Sequence, residues 1–162
     1  MLQPLSSHAH FGSLKELFIN EMSLDWAQVE RLEPGLPSLK ELHVRSNELL
    51  TLSAGGPVRG FSNLRLLDLE YNFLEWSSIL QLAHLESLEV LMLNANNISV
   101  ISPLPVGAFP HLRALSLDKN QISQWDSIVA LQDFPKLHDL KLRENPIHKG
   151  QEDVHIRSHT PC

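Results

Sequence analysis

Cysteine is almost missing from this chain: the single one, Cys162, is the last residue. One thiol forms no disulfide within the chain and builds no Cys-ligated zinc site. Long apolar runs are missing too. No stretch of about 18 apolar residues is present to span a bilayer. The opening Met1-Leu-Gln-Pro-Leu-Ser-Ser-His8 lacks both a basic start and a continuous apolar segment, so no signal peptide is expected. Positive charge is in deficit, with 13 Lys and Arg against 19 Asp and Glu and a net charge of -6. That balance argues against a nucleic-acid partner, which needs clustered cations to neutralise phosphates. Gly55-Gly56 runs into Pro57 without the lysine of a phosphate loop, and no His-Glu-x-x-His helix occurs. These absences lead to the expectation of a cytoplasmic, non-enzymatic chain with no cofactor, no metal centre and no membrane partner.

Two local patterns invite chemistry and are better read without it. Asn97-Ile98-Ser99 matches a glycosylation acceptor, yet it falls where the repeat described next puts Asn and Ile in any case. His155 and His159 have the i, i+4 spacing of a shared metal on a helix, but they lie in a polar segment with no third ligand.

What the sequence does have is a repeat, the first thing to look for in a chain of this kind. The spacing leucine-x-x-leucine-x-leucine-x-x-asparagine-x-leucine occurs six times. The copies are Leu14, Leu17, Ile19, Met22, Leu24; then Leu39, Leu42, Val44, Asn47, Leu49; then Leu64, Leu67, Leu69, Asn72, Leu74. They continue with Leu88, Leu91, Leu93, Asn96, Ile98; Leu112, Leu115, Leu117, Asn120, Ile122; and Leu137, Leu140, Leu142, Asn145, Ile147. Successive copies are 25, 25, 24, 24 and 25 residues apart. Three residues before each copy stands a further large apolar residue: Phe11, Leu36, Phe61, Leu85, Phe109 and Phe134.

Each position has a physical reason. Apolar residues at the fourth and sixth positions alternate with outward ones, as a short strand requires. The inward set is expected to pack as a core, each side chain contributing roughly 1.5–3 kcal/mol on full burial. An asparagine where the chain leaves the strand offers donors and an acceptor to turn groups otherwise unpaired. Met22 cannot do so, which predicts that the first repeat is the loosest. On the return path Trp26, Val29 and Leu32 recur at helical spacing after the N-cap candidate Asp25. Trp76, Ile79, Leu82 and Trp125, Ile128, Leu131 do the same, and such stripes are core far more often than cofactor sites. Ala54-Gly-Gly-Pro57 and Pro103-Leu-Pro105 predict irregular second and fourth returns.

The expected fold is an α/β leucine-rich-repeat solenoid, with a curved parallel sheet on the concave face and helices and irregular returns on the convex one. The cysteine-rich end caps shared by extracellular relatives of this architecture are absent. Residues 1–10 read as a tail, 11–147 as one six-repeat domain, and 148–162 as a polar, disordered tail that does not cover the last repeat. The outward strand positions escape the leucine rule and are the candidate partner-binding surface. They are Phe18, His43, Arg45, Asp68, Glu70, Tyr71, Met92, Asn94, Asp118, Lys141 and Arg143. This mixture of aromatic, soft and charged side chains suits a protein partner, bound by a monomer.

Three segments carry a family resemblance. Leu115-Ser-Leu-Asp-Lys-Asn-Gln-Ile-Ser-Gln-Trp125, Leu140-Lys-Leu-Arg-Glu-Asn-Pro-Ile147 and Leu24-Asp-Trp-Ala-Gln-Val29 resemble the repeat region of tubulin-folding cofactor E, over about residues 11 to 147. The resemblance implies a cytosolic chaperone that captures α-tubulin and works with other tubulin-folding cofactors. Family members are similar in carrying a CAP-Gly domain before the repeats and a ubiquitin-like domain after them, and no counterpart to either is expected within these 162 residues. Other intracellular assemblies, of phosphatase or splicing type, also use short repeats of this kind as regulatory subunits. A truncated product without function is the remaining alternative.

Overall fold

The computed structural model describes residues 10–149. Six three-residue strands form one parallel sheet in chain order: β1 (Glu16–Phe18), β2 (Glu41–His43), β3 (Leu66–Asp68), β4 (Val90–Met92), β5 (Ala114–Ser116) and β6 (Asp139–Lys141). Register follows the repeat without slippage, so that Leu17, Leu42, Leu67, Leu91, Leu115 and Leu140 stand in one row. At about 4.8 Å per strand the row is roughly 24 Å long. The chain is a leucine-rich-repeat solenoid.

The returns divide as the sequence implies. Helix α1 (Trp26–Glu30) begins with a reciprocal cap: the Gln28 N–H donates to Asp25 Oδ1 at 2.8 Å, and the Asp25 N–H donates to Gln28 Oε1 at 2.9 Å. Helices α2 (Trp76–Ile79) and α3 (Trp125–Ala130) lead directly into short 3-10 turns that hold Leu82 and Leu131. The second and fourth returns, 51–60 and 99–110, contain neither helix nor strand. No helix among the described residues is long and apolar enough to cross a membrane.

Five asparagines build an inner ladder. The side-chain oxygen of Asn47 accepts from the N–H groups of Met22 and Leu24, and that of Asn72 from those of Asn47 and Leu49. Asn96, Asn120 and Asn145 likewise serve Leu74, Ile98 and Ile122. Each amide also donates to strand-end carbonyls, Asn72 to Val44 and Leu69 at 3.0 and 2.9 Å. The direction of service changes the reading of Met22. An asparagine in one repeat satisfies the turn of the repeat before it, so the first turn is completed by Asn47. Met22 replaces a group that would have no earlier turn to serve among the described residues.

Looseness lies instead in which neighbours are present. The inward leucines of the middle repeats are fully buried, Leu67 and Leu91 among them, whereas Leu14, Leu17, Leu137 and Leu142 are half-buried and Leu140 is 38% exposed. Phe11 is exposed although the matching Phe61, Phe109 and Phe134 are buried, because no described repeat stacks before it. Trp125 departs from the helical-core expectation for the same reason. Trp26 packs on Phe61 and Trp76 on Phe134, both from later repeats, at ring separations of 6.0 and 6.4 Å. Among the described residues no later ring covers Trp125, which is exposed, as is Val129, while Leu131 is buried. The expectation for 148–162 falls almost wholly outside the described residues; Pro146–Lys149 form a 3-10 turn.

Candidate protein-binding face

Strand alternation puts the third, fifth and seventh positions of each repeat on the concave side, and the sheet brings residues about 25 apart in sequence into contact. Of the eleven candidates, Phe18, Tyr71, Lys141 and Arg143 are exposed, and His43, Arg45, Met92 and Asn94 are half-buried. Asp68, Glu70 and Asp118 are buried, contrary to the free outward set expected of these positions. The reason is lateral packing. Longer side chains from neighbouring rows lie over these carboxylates, and burial without partners would be costly.

Those partners form a second, outer ladder. Asn20 Oδ1 accepts from the Arg45 N–H at 2.7 Å. The Arg45 guanidinium spans two acids, with Nε on Asp68 Oδ2 and Nη2 3.0 Å from Glu70 Oε2. Glu70 in turn accepts from the Asn94 amide, and Asn94 Oδ1 accepts from the Asp118 N–H at 2.8 Å. Asp118 closes the series, accepting from the Arg143 N–H at 2.7 Å and from its guanidinium Nε and Nη2 at 3.0 and 2.9 Å. Hydrogen bonding to Asp68 raises the Arg45 pKa, with desolvation opposing. Burial, then the charge of Asp68, raises the Glu70 carboxyl, against the pull of Arg45 and Asn94.

The ladder fixes what the face presents. Phe18 stacks flat on the His43 imidazole, centroids 4.2 Å apart and planes at 9°. The His43 Nδ1 lies 3.1 Å from Asp68 Oδ2. Tyr71 stands on the turn beyond β3 with φ of 57° and is 52% exposed. The result is a surface with an aromatic end, two carboxylate-pinned arginines four repeats apart, and an exposed tyrosine. It has the rigid aromatic and arginine anchors that protein interfaces favour. Sequence reading missed Glu16 and Glu41, which share this face beside His43; the period-two spacing of Glu41 and His43 was the available signal.

Comparison with known proteins agrees with this architecture and narrows it. A family model described as leucine rich repeat matches residues 86–147. Tubulin-folding cofactor E of Arabidopsis thaliana is 37% identical over 155 residues, covering 88% of this chain. Tubulin-specific chaperone E of Danio rerio and of Homo sapiens are 35% and 33% identical, covering 89% and 87% of it. The chain is similar to tubulin-folding cofactor E and tubulin-specific chaperone E over 87–89% of its own length. It spans 29%, 28% and 28% of the lengths of those three relatives. The resemblance seen in the Trp26 and Trp125 segments therefore extends across nearly the whole chain.

Proposed function

We propose that this chain is a non-catalytic protein-binding module that handles tubulin through its concave face, and that the subunit it takes is α-tubulin. The observation that carries the reading is the likeness to tubulin-specific chaperones over 87–90% of the chain, at 32–37% identity. The chemistry of the face supports it. Phe18, Tyr71 and Met92 offer apolar contact, and Arg45 and Arg143 are held in fixed orientation by Asp68, Glu70 and Asp118. Buried acids thus orient the contact residues and are not themselves offered to a partner. Other tubulin-folding cofactors are the second class of partner, and the cytoplasm is the compartment in which such chemistry takes place.

The test is capture of purified αβ-tubulin and of dissociated α-tubulin by the tagged, folded chain. Retention of α-tubulin, reduced about tenfold or more by the combined Phe18→Ala, Tyr71→Ala and Met92→Ala changes, is the expected result. A folded chain that retains no tubulin would remove the proposal. Retention undiminished by the triple change would move the contact off this face.

A further inference from the structure

We propose that Glu16, Glu41 and His43 form a binding site for a divalent metal ion of the zinc class, clipping the first repeat to the second. Glu16 of β1 and Glu41 of β2 are direct cross-strand partners. Like charges in that relation destabilise a sheet unless a cation lies between them. Glu41 and His43 are two apart on one strand and so share its face. A carboxylate oxygen of each Glu and a ring nitrogen of His43 all lie within 4.8 Å of one another.

The imidazole is prepared for coordination. Phe18 holds its plane, and the buried Asp68 carboxylate lies 3.1 Å from Nδ1. A carboxylate at Nδ1 selects the tautomer with its proton there and its lone pair on Nε2, which is how metal-bound histidines are oriented by the group behind them. Among the described residues Nε2 is buried without a hydrogen-bond partner, 3.7 Å from Glu16 Oε1. A lone pair facing a carboxylate is unfavourable, and a cation between them satisfies both. Zinc takes nitrogen and carboxylate oxygen at about 2.0–2.2 Å, which puts tetrahedral ligands about 3.4 Å apart; the His43–Glu16 pair at 3.7 Å is near that, and the trio, within 4.8 Å, reaches it by a small closing of the glutamate side chains. The imidazole disfavours magnesium and calcium, which prefer oxygen. Water would complete the fourth position.

The proposal is independent of tubulin binding and is tested without it. Zinc sulfate is titrated calorimetrically into the metal-stripped full chain and into three variants: Glu41→Gln, His43→Gln and the double His155→Gln, His159→Gln. Wild type and the double tail variant are expected to bind one ion with equal affinity, while Glu41→Gln and His43→Gln weaken binding about tenfold or more. Circular dichroism checks each fold; if His43→Gln does not fold, Glu41→Gln decides, since its shape and hydrogen-bonding reach are conserved. No saturable binding by wild type, unchanged binding by Glu41→Gln, or loss of binding in the tail variant would each overturn the assignment.

Discussion

Asn72 accepts the N–H groups of Asn47 and Leu49 and donates to the carbonyls of Val44 and Leu69, all in the closed interior of the stack. Truncation to Ala leaves those backbone groups unpaired, at about 1–3 kcal/mol for each buried group so exposed. Asn72→Ala is therefore expected to lower the unfolding free energy by about 3 kcal/mol or more, read by urea denaturation. Met22→Asn restores the repeat consensus but gives the new amide no earlier turn to serve among the described residues, so a change within about 0.5 kcal/mol is expected. A large stabilisation by Met22→Asn would show that the service runs the other way. The residue before each ladder position is left-handed in all six copies: Glu21, Ser46, Tyr71, Ala95, Lys119 and Glu144 have φ between 52° and 59°. None is glycine, so each turn carries a backbone cost of roughly 1 kcal/mol or more that the adjacent hydrogen bonds offset.

The strands are too short to be stable alone, and the side-chain ladders that cross them supply much of their definition. Glu70 is the costly member of the outer ladder, because burial and Asp68 disfavour its charge more than Arg45 and Asn94 favour it. A carboxyl whose pKa is raised on folding contributes stability when protonated, and that contribution is lost as pH rises through its folded value. Near neutral pH the charged Glu70 therefore works against the fold. Glu70→Gln, which keeps an acceptor for Asn94, is expected to be more stable than wild type there. The margin should shrink as pH is lowered into the ordinary carboxylate range. Denaturation curves of both proteins at the two pH values test this; a less stable Glu70→Gln at neutral pH would mean that the Arg45 pairing outweighs burial.

As a whole the molecule is a one-dimensional stack in which each repeat is stabilised by its neighbours. Leu91 and Leu140 hold the same repeat position, yet one is fully buried and the other 38% exposed. Leu91→Ala should cost about 2–5 kcal/mol and Leu140→Ala about 1 kcal/mol or less, since a wet site leaves a smaller cavity. Amide exchange should follow the same order, fastest at β1 and β6 and slowest at β3 and β4. Equal costs at the two leucines would mean that the last repeat is covered in solution. The proposed zinc clip acts at the other end, where Phe11 and Leu14 also lack a full set of neighbours among the described residues.

The local code was decided by the sequence. A 24- or 25-residue leucine and asparagine period dictates strand, turn and inward face, because each depends on residues a few positions apart. It also dictates which returns are helical and which are broken by Pro and Gly. The family resemblance was legible for the same reason, since the Trp26 and Trp125 segments and the Asn145-Pro146 step are short local strings. The tertiary structure decided what stacking places side by side. That Asp68 sinks beneath Arg45 and His43, that Trp125 stays exposed while Trp76 does not, and that Glu16 meets Glu41 and His43 follow from inter-repeat register and from position within the stack. Identical repeat positions carry no mark of whether a neighbour will cover them, so burial and pairing had to be read from the assembled solenoid.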